Sequence, residues 1–274
     1  MNYSFGLRGH DIADNFEEMC QKARENGISK LQFAMAKTMN NIDFDKLGYD
    51  ERLACEVKEK LKEYGLDVSV LGCYINPVDE NRTSLEAQLR RFDSFIDYAA
   101  AFNAGGVGTE TGSVRDLAYT HSDENYRNFL KNIELLVRKA EDKNVMIYIE
   151  PVCIFTIYSV ERAAQMLSDI DSKNLGIILD IANIINAENA GRQDYIIQSA
   201  FDSLGEKIRA VHLKDFKFSG KDKQFALAGE GELNIGLLFD GINQMQKKPD
   251  IILDETPLEF YGKSCDKLRE ILGR

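Results

Sequence analysis

The sequence predicts an α/β protein that folds as a single (β/α)8 TIM barrel domain over residues 1–274. Three observations lead to this prediction: eight short apolar runs, a helical segment between successive runs, and no linker that divides the chain. The runs begin near residues 3, 30, 68, 104, 145, 175, 208 and 250. Eight such units fit the length of the chain, because this fold typically takes about 250 residues.

The predicted strands are, in order, YSFGL, KLQFAM, VSVLGCYI, AGGVGTE, VMIYIE, LGIILDI, IRAVHL and DIILDE. Their apolar residues are consecutive rather than alternating, which is typical of parallel strands with helices on one face and a barrel core on the other. An open doubly wound sheet is the alternative. Its dinucleotide-binding G-x-G-x-x-G turn is missing after the first run, so the barrel is favoured.

The segments between the strands have apolar residues at helical spacing and Glu and Lys on the opposite face. Examples are NFEEMCQKARENG, YDERLACEVKEKLKEYG, EAQLRRFDSFIDYAAAFN and NYRNFLKNIELLVRKAEDKN. Each of these ends in Gly or Asn, as helix C-caps do. The chain has only four prolines and no low-complexity stretch, so the sequence predicts one domain.

The composition excludes several classes of partner. A net charge of −11 argues against nucleic acid, because binding a polyanion requires a basic face. The five cysteines are scattered singly, which fits reduced thiols better than a disulfide framework. No run approaches the roughly 18 apolar residues of a membrane-spanning helix. We therefore expect a soluble cytoplasmic protein without a membrane partner.

Charged residues end four successive predicted strands. The fifth strand ends in Glu150, the sixth in Asp180, the seventh in His212, and the eighth in Asp254 and Glu255. Because function in this fold lies at the carboxyl ends of the strands, we expect these side chains to meet at one mouth. Strand phase is not fixed within one residue by sequence, and we prefer Glu255 to Asp254 as the residue that faces the site.

Carboxylates that face one another in a buried site raise each other's pKa unless a positive group lies between them. A divalent cation solves this problem, so we predict a metal site with Glu150, Asp180, His212 and Glu255 as ligands. Three carboxylates and one imidazole form an oxygen-rich site. Such a site favours Mn²⁺ or Mg²⁺, with Co²⁺ and Zn²⁺ as the other candidates.

The strand ends in YIEP, ILDIAN, VHLKD and ILDETP resemble those of the xylose isomerase-like TIM barrel superfamily of sugar isomerases and epimerases. The superfamily also includes endonuclease IV, whose additional histidines this chain cannot supply. The resemblance implies a divalent metal on Glu150, Asp180, His212 and Glu255. One departure is Asn183, which stands where ketose 3-epimerases usually have a histidine.

The resemblance also implies a reaction. In the epimerases, the glutamates of strands five and eight transfer protons on opposite faces of the sugar, so Glu150 and Glu255 are the candidate catalytic residues. The expected activity is isomerisation or epimerisation of a small sugar or related polyol through a metal-stabilised enediolate. The alternatives are a metal-dependent lyase of the inosose or dehydroshikimate dehydratase type, and a non-catalytic sugar-binding barrel.

Further polar residues near the predicted mouth are candidates for contacts with the substrate. They are Arg8, His10, Tyr74, Glu110 and Lys214. After strand seven, the segment SGKDKQFALAGEGELNIG predicts a mobile lid over the mouth. The expected partner is thus a small-molecule sugar or polyol. Barrels of this kind often form homo-oligomers, a point that the sequence does not decide.

Overall fold

The predicted barrel is present in the computed structural model, which describes residues 3–273. Eight parallel strands close in the order β1-β10-β7-β6-β5-β4-β3-β2. The barrel strands are β1 (Phe5–Arg8), β2 (Lys30–Phe33), β3 (Asp67–Gly72), β4 (Val107–Thr109), β5 (Ile147–Ile149), β6 (Leu175–Leu179), β7 (Ile208–Leu213) and β10 (Asp250–Leu253). Each predicted run overlaps one of these strands, so the fold prediction is confirmed.

Helices surround the barrel and fill the connections between its strands. They are α1 (Gly9–Ile12), α2 (Phe16–Glu25), α3 (Met35–Thr38), α4 (Phe44–Leu47), α5 (Glu51–Tyr64), α6 (Arg82–Phe102), α7 (Leu117–Thr120), α8 (Asp123–Lys143), α9 (Val160–Ile170), α10 (Ile181–Ile184), α11 (Gln193–Leu204), α12 (Ile235–Gln244) and α13 (Leu258–Ile271). Short 3-10 turns lie at Ala190–Arg192 and Gly205–Lys207. Within residues 3–273, no helix has the length and apolar character that crossing a membrane requires.

Polar residues and glycines of the sequence determine where the helices begin and end. Side chains at the N-caps accept hydrogen bonds from the first turn, as Asn81 does from the amide of Ser84 in α6. The chain turns into the left-handed region at Gly65, Asn103 and Asn144, directly after α5, α6 and α8. These are the predicted Gly and Asn ends, and they return the chain to the next strand.

The segment after β7 forms an antiparallel hairpin of β8 (Asp215–Ser219) and β9 (Asp222–Ala226). The buried Asp215 carboxylate accepts hydrogen bonds from the amides of Gly231 and Leu233, each at 2.8 Å. On the other strand of the hairpin, Lys223 Nζ donates to two carbonyl oxygens at α10 and just after it, at 2.8 and 2.6 Å. The predicted lid is thus an anchored hairpin, and its movement stays a prediction.

Most of the core lies between the barrel and the helices, and a smaller cluster fills the barrel interior. The interior cluster contains the Tyr148 ring, which crosses the neighbouring strands. Glycine is required beside it, because a Cβ at Gly106 would lie 2.7 Å from the ring and one at Gly176 would lie 3.3 Å from it. Small residues on the adjacent strands therefore make room for one large aromatic side chain.

We expect Gly106→Ala to destabilise the barrel, because the new methyl group overlaps the Tyr148 ring and the carbonyl oxygen of Met146. Overpacking of this kind costs about 1–3 kcal/mol. The midpoint of urea unfolding, followed by circular dichroism, measures the effect. Gly191→Ala is the matched control, since a Cβ at Gly191 meets nothing within 4 Å. Equal midpoints for the two variants would contradict the packing argument.

Candidate active site and metal centre

Three of the predicted metal ligands lie together at the carboxyl ends of their strands. Glu150 follows β5, Asp180 follows β6, and His212 is the penultimate residue of β7. They are buried, with exposed fractions of 2%, 0% and 3%. Each offers a ligand atom, and these atoms lie within 4.8 Å of one another. We call these three residues the ligand cluster.

Local structure at the end of β6 orients two members of the cluster. Asp180 is the N-cap of α10, and its Oδ1 accepts a hydrogen bond from the amide of Asn183 at 3.0 Å. The Asn183 side chain donates through Nδ2 to Glu150 Oε1 at 2.7 Å. Asn183 thus ties the two carboxylates together. The sequence marked it only as a departure from the epimerase pattern, and gave no signal for this contact.

Two atoms of the ligand cluster lack hydrogen-bond partners. His212 Nδ1 lies 3.2 Å from Glu150 Oε2, but His212 Nε2 and Asp180 Oδ2 are buried without a hydrogen bond in the part of the chain that the structure describes. Asp180 Oδ2 does have an ion-pair contact with Lys214 Nζ at 3.3 Å. Leaving such a group unsatisfied costs about 1–3 kcal/mol. A cation bound by an imidazole nitrogen and two carboxylates would satisfy them. The donor set therefore fits a divalent metal ion.

The eighth barrel strand, β10, is followed by two acids with different environments. Asp254 is buried, and its carboxylate pairs with Lys214 Nζ at 2.6 Å and with Arg8 Nη1 at 2.8 Å. The Glu255 side chain is 43% exposed, and its backbone has a left-handed φ of 47°. Its Oε1 lies 3.7 Å from Lys214 Nζ, outside the ligand cluster. The role of Glu255 as fourth ligand stays a prediction.

Lys214 lies between the acids of strands β6 and β10 rather than at the surface. It is 4% exposed, and its Nζ is 3.3 Å from Asp180 Oδ2 in addition to the contact with Asp254. Burial lowers the pKa of Lys214, but the two carboxylates outweigh burial and hold that pKa above its ordinary value. Lys214 therefore stays charged, and it is the principal positive group beside the ligand cluster.

The acids differ in pKa because they share this charge unequally. Burial raises the pKa of Asp180 despite the nearby Lys214. Burial also acts to raise the pKa of Asp254, but Lys214, His212 and Arg8 outweigh it and lower the pKa overall. The pKa of His212 is lowered by burial and raised more strongly by Glu150 and the other carboxylates, so it lies above its ordinary value. Protons and a metal ion would therefore compete for His212.

Glu150 and His212 of the ligand cluster line a cavity of about 710 Å³, which we call the mouth cavity. Its volume is sufficient for a small sugar. Apolar side chains that the sequence had not singled out form part of its wall, namely Val152, Ile154, Phe155 and Phe225. Lys37, Lys221 and Lys223 also line it, two of them from the hairpin. These residues come from the connections between barrel strands, whose positions the strand pattern does not predict.

Four of the five predicted substrate contacts line the mouth cavity, and these are Arg8, Tyr74, Glu110 and Lys214. Burial and the nearby Glu150 raise the pKa of Glu110 to about 7. Burial raises the pKa of Tyr74, whose hydroxyl accepts a hydrogen bond from Gln32. His10 does not line the cavity, although its Nε2 lies 3.2 Å from Lys37 Nζ. Contact of these residues with a substrate stays a prediction.

Comparison with known proteins agrees with the fold and the strand ends. The family model of the xylose isomerase-like TIM barrel matches residues 20–271. The chain belongs to the xylose isomerase-like TIM barrel family. This confirms the resemblance that the strand ends indicate.

A relative of similar sequence is the uncharacterized protein MJ1311 of Methanocaldococcus jannaschii. It is 24% identical over 201 residues, which cover 72% of this chain and 67% of the relative.

Solved structures of other proteins resemble this chain over nearly its full length. A D-tagatose 3-epimerase-like protein has a TM-score of 0.75 and 20% identity, with 98% of this chain and 96% of that chain covered. The IOLI protein with a bound zinc atom has a TM-score of 0.74 and 12% identity, with 97% and 95% covered. At these identities the likeness shows the fold.

We expect the chain to bind Mn²⁺ more weakly as the pH falls from about 8 to about 6, because protons on His212 and Asp180 compete with the ion. His212→Gln should lower the affinity by at least about 100-fold, since a ligand is lost. Isothermal titration calorimetry measures both effects. His121→Gln is the matched control, because His121 stacks on Tyr158 and is not part of the ligand cluster. Affinity that is independent of pH and of His212 would contradict the assignment.

We expect Lys214→Met to lower the free energy of unfolding of the metal-free protein by about 3 kcal/mol, because it leaves buried carboxylates without their cation. Without Lys214, the folded-state pKa of Asp180 rises further above its unfolded value and that of Asp254 rises from its lowered value, so the loss grows as the pH rises.

Urea unfolding in EDTA at about pH 5 and about pH 8 measures this difference. Lys37→Met, a change to an exposed lysine of the mouth cavity, is the control. An equal loss at both pH values would argue against an electrostatic role for Lys214.

Proposed function

We propose that the chain is a divalent-metal-dependent isomerase or epimerase of a small sugar or related polyol. The observation that carries the proposal is the buried ligand cluster of Glu150, Asp180 and His212, two of which, Glu150 and His212, line the mouth cavity. Family membership and the epimerase-like structural neighbour support it.

Glu150, Asp180 and His212 would hold the metal, with Glu255 as a fourth ligand from the rim. The oxygen-rich set favours Mn²⁺ or Mg²⁺, and Co²⁺ or Zn²⁺ are the other candidates. When bound, the ion supplies positive charge beside a substrate carbonyl, which favours loss of a proton from the neighbouring carbon.

The residues of the chain supply the proton transfer itself. Glu150 is the candidate base, since it is buried, fixed by Asn183 through Oε1, and directed into the mouth cavity. Glu255 enters the same cavity from β10 and is the candidate acid on the other side of the substrate. Lys214 remains charged and can donate a hydrogen bond to a substrate oxygen, while Phe225 covers it from the hairpin side at 4.4 Å.

The test is exchange of substrate hydrogen in deuterated water, with Mn²⁺-loaded protein and a panel of ketoses and inososes. We expect an epimer or isomer that carries solvent deuterium, and we expect Glu150→Gln to reduce its formation by at least about 100-fold, as for loss of a general base. Glu259→Gln, at an exposed glutamate of α13, is the matched control and should leave the rate unchanged.

Other outcomes of the same assay decide between the alternatives. A product lighter by one water identifies a dehydratase on the same metal site. Metal binding and sugar binding without exchange would identify a non-catalytic barrel and overturn the enzyme proposal. A cytoplasmic location and a homo-oligomeric state are further expectations, which fractionation of cells and light scattering of the purified protein test.

A further inference from the structure

A second cavity lies at the opposite end of the barrel, where the strands begin. It has a volume of about 310 Å³ and is lined by Ser69, Tyr148, Arg209, Lys247 and Asp250, among others. We call it the floor cavity. Since the ligand cluster lies at the carboxyl ends of the strands, the floor cavity is separate from the mouth cavity and shares no lining residue with it.

Two register shifts in the barrel bring polar side chains to the floor cavity. Between β2 and β3 the pairing passes from Val68 to Val70 and skips Ser69. Between β6 and β7 it passes from Ile208 to Ala210 and skips Arg209. A β-bulge leaves its extra residue unpaired and redirects its side chain. Both skipped residues line the floor cavity, so each bulge adds a polar group there.

The two redirected residues carry polar atoms without partners. Ser69 is 6% exposed, and its hydroxyl has no hydrogen bond within residues 3–273. Arg209 Nε is also buried and unpaired, and its guanidinium forms no ion pair within 4.0 Å among the described residues. The neighbouring strand makes room for the arginine, because a Cβ at Gly176 would lie 2.6 Å from Arg209 Cγ. These groups are donors that a bound acceptor would satisfy.

The charges around the floor cavity favour an anion. Its one lining carboxylate in the described chain, Asp250, forms an ion pair with Lys30. Lys248 Nζ already has hydrogen-bond partners at the end of α12, because it donates to the carbonyl oxygens of Asn243 and Met245 at 2.6 Å each. Arg209 and the exposed Lys247 remain as uncommitted cations. This concentration of positive charge stands out in a chain of net charge −11.

We propose that the floor cavity is a second binding site, for a phosphate group or a small oxyanion of the same chemistry. Arg209 donates hydrogen bonds from its guanidinium, Ser69 donates from its hydroxyl, and Lys247 adds charge from the loop before β10. Guanidinium and hydroxyl donors match the several acceptor oxygens of phosphate. The site is independent of the function proposed for the mouth cavity.

The experiment is a calorimetric titration of the full chain with sodium phosphate, against sodium chloride at equal ionic strength. We expect saturable binding of one phosphate. Arg209→Gln should weaken it at least about tenfold, as for loss of a charge-assisted hydrogen bond. Lys247→Gln, at an exposed residue, should weaken it by a smaller factor. Arg127→Gln is the matched control on α8, where the arginine is exposed, and it should bind as the unchanged chain does.

Several results would overturn the proposal. One is the absence of saturable phosphate binding, and another is equal affinity of Arg209→Gln and the unchanged chain. Loss of binding in Lys221→Gln alone would place the phosphate in the mouth cavity instead. If Arg209→Gln does not fold, Ser69→Ala and Lys247→Gln decide the question, and equal affinity of both with the unchanged chain rejects the site.

Discussion

The ion pair between Lys214 and Asp254, with Nζ and Oδ2 2.6 Å apart, sets the charge of the site at the strand ends. Closure of the barrel brings the acids of successive strands into one buried volume, where mutual repulsion opposes folding. Lys214, directly after β7, reaches several of them, since its Nζ also lies 3.3 Å from Asp180 Oδ2 and 3.7 Å from Glu255 Oε1. Without this internal cation, the folded barrel would have to neutralise its acids by protonation or by bound ions.

Lys214 compensates the charges of the neighbouring carboxylates unequally, and the acids differ in role as a result. Asp254 contacts both Lys214 and Arg8, so its charge is fully compensated within the chain. Glu150 and Asp180 are instead linked through Asn183, whose side-chain amide donates to Glu150 and whose backbone amide donates to Asp180, and Asp180 Oδ2 has no hydrogen bond in the described part of the chain. The ion pairs of Asp254 stabilise the fold. Glu150 and Asp180, by contrast, can still bind an external cation.

Strand periodicity and strand ends were sufficient to predict the barrel and the ligand cluster. Consecutive apolar residues place a strand reliably, and the residue directly after it reaches the mouth by geometry, as for Glu150 and Asp180. The side chain that faces the site after β10 could not be predicted, because one residue of phase exchanges Asp254 for Glu255. The left-handed backbone at Glu255 shows why, since it interrupts the strand pattern there.

Contacts that depend on tertiary placement were beyond the sequence. The hydrogen bond from Asn183 to Glu150 exists only because α10 starts directly at the end of β6. The hairpin after β7 did carry a signal, since DFKFSGKDKQFA places a Ser-Gly turn between two runs of mixed apolar and charged residues.

The sequence also gave no signal for the two β-bulges that line the floor cavity. In a regular strand, successive side chains point to opposite faces, so Arg209 and Ala210 would lie on different sides of β7. In the structure, the pairing skips Arg209, whose side chain lines the floor cavity, and Ala210 lies in the barrel interior. A bulge can thus add a charged group to a closed barrel without displacing a core residue, which regular pairing does not allow.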